Sequence, residues 1–225
     1  TVSYARRTKS APESSRTAAL VIMVASSIVF GRVLILIGAV APALLPHAAG
    51  PLGATFAALL AISIGYWFFA KQENAEMPEQ GNPSELKAAL VFAAIYALVL
   101  LAVAATKDRF GSSGLYVVAV VSGLTDMDAI TLSISEMARR EEVAAASAWR
   151  LILVAALANL VFKTGIVAFL GGRALLKRIG VLFGLSFAAA LAIMLFWPTG
   201  AAEPGEPEPA RAAKISHWSP VQGRV

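Results

Sequence analysis

Residues 112–138 read SSGLYVVAVVSGLTDMDAITLSISEMA, and the fold of the chain turns on how this stretch is read. It is long enough to cross ~30 Å of hydrocarbon, for which ~20 apolar residues suffice, yet Asp126 and Asp128 lie near its middle. An Asp at a helix centre costs ~2.5–3.5 kcal/mol on insertion scales, whereas each Leu, Ile, Phe or Val returns only ~0.3–0.6 kcal/mol. The segment is therefore marginal alone and requires partners elsewhere in the chain.

On an unbroken helix, residues two apart are separated by about 200°, so Asp126 and Asp128 would face opposite ways. The sequence offers an escape. Thr125-Asp126-Met127-Asp128 matches the [ST]-x-x-[DE] capping box that precedes an apolar run, and Gly123 stands just before it. The spacing predicts a broken helix near residue 125, with halves from Ser113 to Ser122 and from Asp126 to Ala138, ~15 and ~20 Å long. A break at membrane depth survives only where protein or water covers the freed backbone, and transporters use such breaks to build ion sites.

The remainder of the chain supports a membrane setting. Of its 225 residues 58% are hydrophobic and 15% charged, and the mean hydropathy is +0.71. A soluble domain averages about 25% charged residues. The expected fold is all-α, a polytopic transmembrane helix bundle of about six spans, over residues 18–41, 52–70, 86–105, 112–138, 151–170 and 179–197. Residues 1–17 form a basic polar N-terminal segment, 18–197 the helical domain, and 198–225 a Pro- and Glu-rich tail that reads as disordered. Pro42, Pro46 and Pro51 mark an uncharged turn holding His47, while Asn82-Pro83-Ser84-Glu85 reads as a helix start before the third span.

The absence of cysteine removes disulfides and thiolate metal sites. A net charge of +5 could suggest nucleic acid, but the basic residues flank apolar runs, where topology and the lipid bilayer explain them; no nucleic-acid partner is expected. With six spans and the N-terminus inside, the Lys and Arg count favours both termini in the cytoplasm. The basic turn GGRALLKR, residues 171–178, then falls on the wrong side. An odd number of crossings, with part of the fourth segment re-entrant, repairs this.

Candidate partners for the two acids exist. Arg32 and Lys163 are the basic residues well inside predicted spans, and both are expected as counter-ions that would leave the interior neutral. Asn159 lies four residues before Lys163, on the same helix face. Asp128, Thr131 and Ser135 fall at i, i+3 and i+7, a polar stripe that with Thr125 and Asp126 makes a lining for an aqueous path. The candidate ion- or substrate-binding set is thus Thr125, Asp126, Asp128, Thr131, Ser135 and Asn159. Asp126 and Asp128 are the candidate metal ligands. The other reading of the same charges is structural, as interhelical pairs and a helix cap.

The run GLYVVAVVSGLTDMDAITLSISEMA, with NPSELKAALVF before it, FGRVLIL in the first span and ANLVFKTGIVAFLGGR after it, resembles the membrane domain of unknown function found C-terminal to MgtC/SapB-like modules in bacteria. The likeness covers about residues 15–197, and its most specific part is the G-L-x-D-x-D-A-I-T-L-S core. It implies a multi-pass protein of the bacterial inner membrane, preceded by an MgtC/SapB-like module, in keeping with Thr1 where an initiator Met is missing. Positions matching the motif are Asp126, Asp128 and Thr131, with Arg32, Asn159 and Lys163 in the flanking pieces. By analogy with magnesium homeostasis it also suggests a divalent cation such as Mg2+ as cargo, with no bound cofactor.

The expected function is a transporter or channel for a small ion, divalent or proton-coupled, working through intramembrane carboxylates. The alternative is a regulatory or assembly membrane module without transport. Either allows a homo-oligomer. An enzyme is not expected, because the spans lack His and any Ser-His pair, and the G-x-G-D pattern of presenilin-type proteases is missing.

Overall fold

The computed structural model describes residues 1–10, 12–69 and 114–198. Among the described residues seven α-helices follow in order: α1 Val2–Ser10, α2 Ser15–Val40, α3 Leu45–Phe69, α4 Gly114–Thr125, α5 Met127–Arg139, α6 Ala145–Leu170 and α7 Arg173–Phe196. Two short 3-10 turns, Pro12–Ser14 and Pro42–Leu44, precede α2 and α3. The fold is an all-α bundle, with no strand among the described residues. The third predicted span, the Asn82–Glu85 helix start and the tail beyond residue 198 lie outside the described residues.

Helices α2, α6 and α7 are long and apolar enough to cross a membrane, as is α3 together with its preceding turn. At 1.5 Å per residue, even the 24 residues of α7 extend ~36 Å. Their outer surfaces are apolar: Ile35 is 73% exposed, Phe169 82% and Val181 64%. Large bare hydrophobic surface of this kind is tolerated next to lipid rather than water.

Proline sets the boundary between α2 and α3. The residue before a proline is driven out of the α region, and Ala41 accordingly takes φ −135°, ψ 71° ahead of Pro42, ending α2 at Val40. Pro46 stands in the first turn of α3, where an amide has no helical partner to lose. Thus α3 begins seven residues before the predicted second span at residue 52, and His47 belongs to its first turn rather than to a loop. The N-terminal segment also contains helix: α1 docks on α6. The Gly172 amide donates to Thr8 Oγ1 over 3.0 Å, and Lys9 Nζ to the Phe169 carbonyl over 3.4 Å.

These contacts define two ends of the bundle. One holds α1 and the turn between α6 and α7, where Arg178 donates to the Tyr66 hydroxyl of α3. It gathers Arg6, Arg7, Lys9, Arg16, Arg173, Lys177 and Arg178 against the single acid Glu13 among the described residues. The opposite end holds Ala41–Leu44 beside Ala138–Ala145, and there the ring of Trp197 covers Gly50. The turn at residues 171–178 therefore shares an end with the N-terminal basic segment, and Trp197 lies at the other.

The core divides along the same axis. A cluster toward the basic end joins Ala19, Ile22 and Met23 of α2 to Leu160 and Val167 of α6 and Ile179 and Phe183 of α7. A larger cluster toward the opposite end includes Val33, Ile37, Leu52, Trp149 and Ile152. Both arms of the broken segment join the larger cluster, Leu115, Val118 and Ala119 from α4 and Met127, Ile130 and Ile134 from α5. Neither contributes to the cluster at the basic end. The segment thus occupies one half of the bundle's depth instead of traversing it.

Candidate functional site

Asp126 is the single non-helical residue between α4 and α5, with φ −147° and ψ 105°. Its amide still donates to the Ser122 carbonyl, closing the last turn of α4. Its carboxylate Oδ1 accepts the amides of Asp128 at 2.9 Å and Ala129 at 3.1 Å, satisfying two of the orphan donors that open α5. The break falls one residue after the predicted point. The cap is Asp126 and not Thr125, because the extended backbone that a cap requires sits at Asp126. Thr125 still ends α4, its hydroxyl donating to the Ser122 carbonyl at 2.9 Å.

The freed backbone is covered by α6. Asn159 Nδ2 donates to the Gly123 carbonyl at 2.9 Å. At Gly123 the two helices touch by backbone, and an added Cβ would overlap the Ala155 carbonyl and Cα. Glycine is required there by proximity, not by a special dihedral.

Arg32 meets Asp128 as predicted, Nη2 to Oδ1 at 3.0 Å. The contact is an ion pair without hydrogen-bond alignment, for Asp128 Oδ1 is buried and has no hydrogen-bond partner. The guanidinium side chain is 55% exposed and the carboxylate side chain 35%, so the pair lies at the edge of the described helices. Asp126 is exposed. Lys163 does not pair with either acid: its Nζ donates to Ser26 Oγ at 3.1 Å. Arg32 acts on it as a like charge. Lys163 lies one turn beyond Asn159 on α6, past the level at which the break is braced, and faces α2 at Ser26.

Ser26 and its neighbours were not singled out from the sequence. Ser26 and Ser27 return their hydroxyls to the carbonyls of Ile22 and Met23, and Ser27 Oγ lies 3.5 Å from Ser63 Oγ of α3. Three serines in apolar spans were the available signal, weak because such hydroxyls usually bond their own backbone.

Thr131 and Ser135 are both 0% exposed, so the stripe on α5 faces protein rather than open solvent. Thr131 donates to the Met127 carbonyl at 2.7 Å, whereas the Ser135 hydroxyl has no hydrogen-bond partner. Past the stripe, beyond the four long spans, Glu136 is clasped by Arg139 and Arg140 at 2.6 and 2.7 Å. Hydrogen bonds from these two guanidiniums hold its carboxyl down at about 2. No group of three or more His, Cys, Asp or Glu side chains stands ready to hold a metal among the described residues. At the break Asp126 and Asp128 offer carboxylate oxygens, hard donors suited to Mg2+ or Ca2+ rather than Zn2+.

Apolar helices around a capped helix break, with a charged pair at its edge, define a helical membrane-protein module. The chain belongs to the family described as domain of unknown function DUF4010, whose model matches residues 1–171. The match takes in the basic N-terminal segment and stops at Gly171, ahead of α7. An uncharacterized protein of Aquifex aeolicus (strain VF5) is 31% identical over 122 residues, 53% of this chain and 53% of the relative. The chain thus spans about half the length of that relative. No solved structure matches.

Proposed function

We propose that this is a multi-pass protein of the bacterial inner membrane that passes a small ion, with Asp126 and Asp128 as the ion-facing groups. The observation that carries the reading is the helix broken at Asp126 with the Arg32–Asp128 pair beside it, at the edge of the described helices. Acids at membrane depth are retained at a steep insertion cost, which function repays more often than packing does. The break frees backbone and aims the start of α5 at the site, the arrangement by which discontinuous helices handle ions.

At rest, Arg32 neutralises Asp128, and the like charge of Lys163 favours keeping Arg32 on that carboxylate. An entering cation replaces Arg32 and gains the second carboxylate of Asp126, so a divalent ion such as Mg2+ is the preferred cargo and a proton the next. The protein acts as a carrier or channel and not as an enzyme, and no cofactor takes part. By the positive-inside rule the basic end is cytoplasmic, and the α4–α5 segment is re-entrant from the other face. A preceding MgtC/SapB-like module and a homo-oligomeric assembly belong to the same proposal. A non-transporting regulatory or assembly module is the second reading, favoured by the Arg32–Asp128 ion pair itself.

Reconstitution in liposomes, with Mg2+ and proton fluxes followed in parallel, tests the proposal. Flux that is lost in Asp126→Asn and Asp128→Asn supports it. No flux of either ion from a folded protein leaves the regulatory module.

A further inference from the structure

We propose that the seam between α2 and α5 is the route by which water and a small hydrated cation reach Asp128 from the end opposite the basic cluster. For the cation this rests on the ion-passing reading; the water route stands on three observations of its own.

First, a cavity of about 340 Å³ opens at that end, between Ala41–Leu44 and the stretch from Ala138 to Ala145. Arg139 and Glu141 stand at its wall, so its mouth carries both signs of charge. Second, Ala138, Ser135, Thr131 and Asp128 lie on one face of α5, at successive steps of three, four and three residues. Ala138 lines the cavity, and Asp128 is at the far end of the same face, ~15 Å deeper at 1.5 Å per residue. Third, two oxygens along this face lack hydrogen-bond partners, Ser135 Oγ and Asp128 Oδ1.

The orphan at Ser135 is unusual for this protein. Ser26, Ser27, Thr55, Ser63, Thr131 and Ser186, all buried, each donate to the carbonyl four residues back. Ser135 has the Thr131 carbonyl within its own helix and does not use it. A buried hydroxyl without a protein partner takes water where the space is polar and continuous with solvent. The cavity lined by Ala138 lies one turn away on the same face of α5. Thr131, between the two orphans, adds a hydroxyl oxygen that can accept while it donates to Met127. About one helical turn separates each of these residues from the next, and the last is the carboxylate that Arg32 holds without hydrogen-bond alignment.

The chain contains no cysteine, which permits a direct test on the full chain in proteoliposomes. Ala138→Cys, Ser135→Cys and Thr131→Cys are made singly and treated with a membrane-impermeant methanethiosulfonate from either side. Leu132→Cys, on the exposed face of α5, is the reference. Ala138→Cys and Ser135→Cys should react from the same side, Ser135→Cys at least tenfold faster than Leu132→Cys, with Thr131→Cys slower than Ser135→Cys. If Ser135→Cys does not fold, reaction of Thr131→Cys from the side that labels Ala138→Cys supports the route. A reactive Ala138→Cys beside Ser135→Cys and Thr131→Cys no faster than Leu132→Cys overturns it. Labelling needs no ion movement, so a labelled route without flux overturns the transport reading and leaves the route standing.

Discussion

Asn159 on α6 donates its side-chain amide to the carbonyl of Gly123 on α4 at 2.9 Å, one residue pair bracing a helix break from 36 residues away. Gly123 is buried where α4 meets Ala155 of α6. Removing the donor leaves a buried acceptor unsatisfied, a loss of about 1–3 kcal/mol. Asn159→Ala should lower the thermal midpoint in detergent by several degrees, and Asn159→Asp, which keeps the size but not the donor, should lower it at least as much. An unchanged midpoint in both variants would show that the contact does not brace the break.

Gly123→Ala tests how closely α4 and α6 must approach. The added methyl meets backbone atoms of Ala155, which cannot rotate away as a side-chain tip does. Overpacking of this kind costs about 1–3 kcal/mol. Because the obstacle is the main chain, Ala155→Gly in the same protein should not restore stability. Rescue in the double variant, read by thermal unfolding, would place the clash at the Ala155 side chain instead.

The helix break was legible because two acids two residues apart cannot share one apolar helix, and the sequence supplied an alternative at the same place. Its exact cap was not. Thr125 and Asp126 are both good N-caps, and only the backbone conformation, fixed by packing of α4 on α6, chooses between them. Arg32 and Asp128 were found because charge in a span demands a partner. Lys163 misled because the same demand can be met by a neutral hydroxyl, and Ser26 carries no mark distinguishing it from other span serines. The end at which the 171–178 turn lies depends on whether residues 112–138 cross the bundle, which hydropathy cannot separate from entering and leaving one half.

The Arg32–Asp128 pair gives a coupling that can be measured. At 3.0 Å, but with both side chains partly exposed, it falls between a surface pair worth ~0–1 kcal/mol and a buried one whose rupture costs ~3–5 kcal/mol. A double-mutant cycle of Arg32→Ala and Asp128→Ala should return a coupling of about 1–2 kcal/mol, with the double variant more stable than the sum of the singles implies. A coupling within error of zero would mean that the pair adds nothing to stability, and would leave Asp128 free of Arg32 in the resting state.

Asp126 separates a structural cap from an ion ligand by a choice of substitution. Asn is as good an N-cap as Asp, since its side-chain oxygen accepts the same amides, whereas Ala forfeits them at about 0.5–2 kcal/mol. If the carboxylate of Asp126 serves only the amides of Asp128 and Ala129, Asp126→Asn should match the parent protein in both stability and ion flux, and Asp126→Ala should fall in both. If the charge binds an ion, Asp126→Asn keeps its thermal midpoint and loses flux at least tenfold, because an amide oxygen cannot supply the charge that a divalent cation requires of its ligands. Parallel unfolding and liposome measurements on these two variants therefore distinguish the cap from the ligand, whatever Asp128 does beside it.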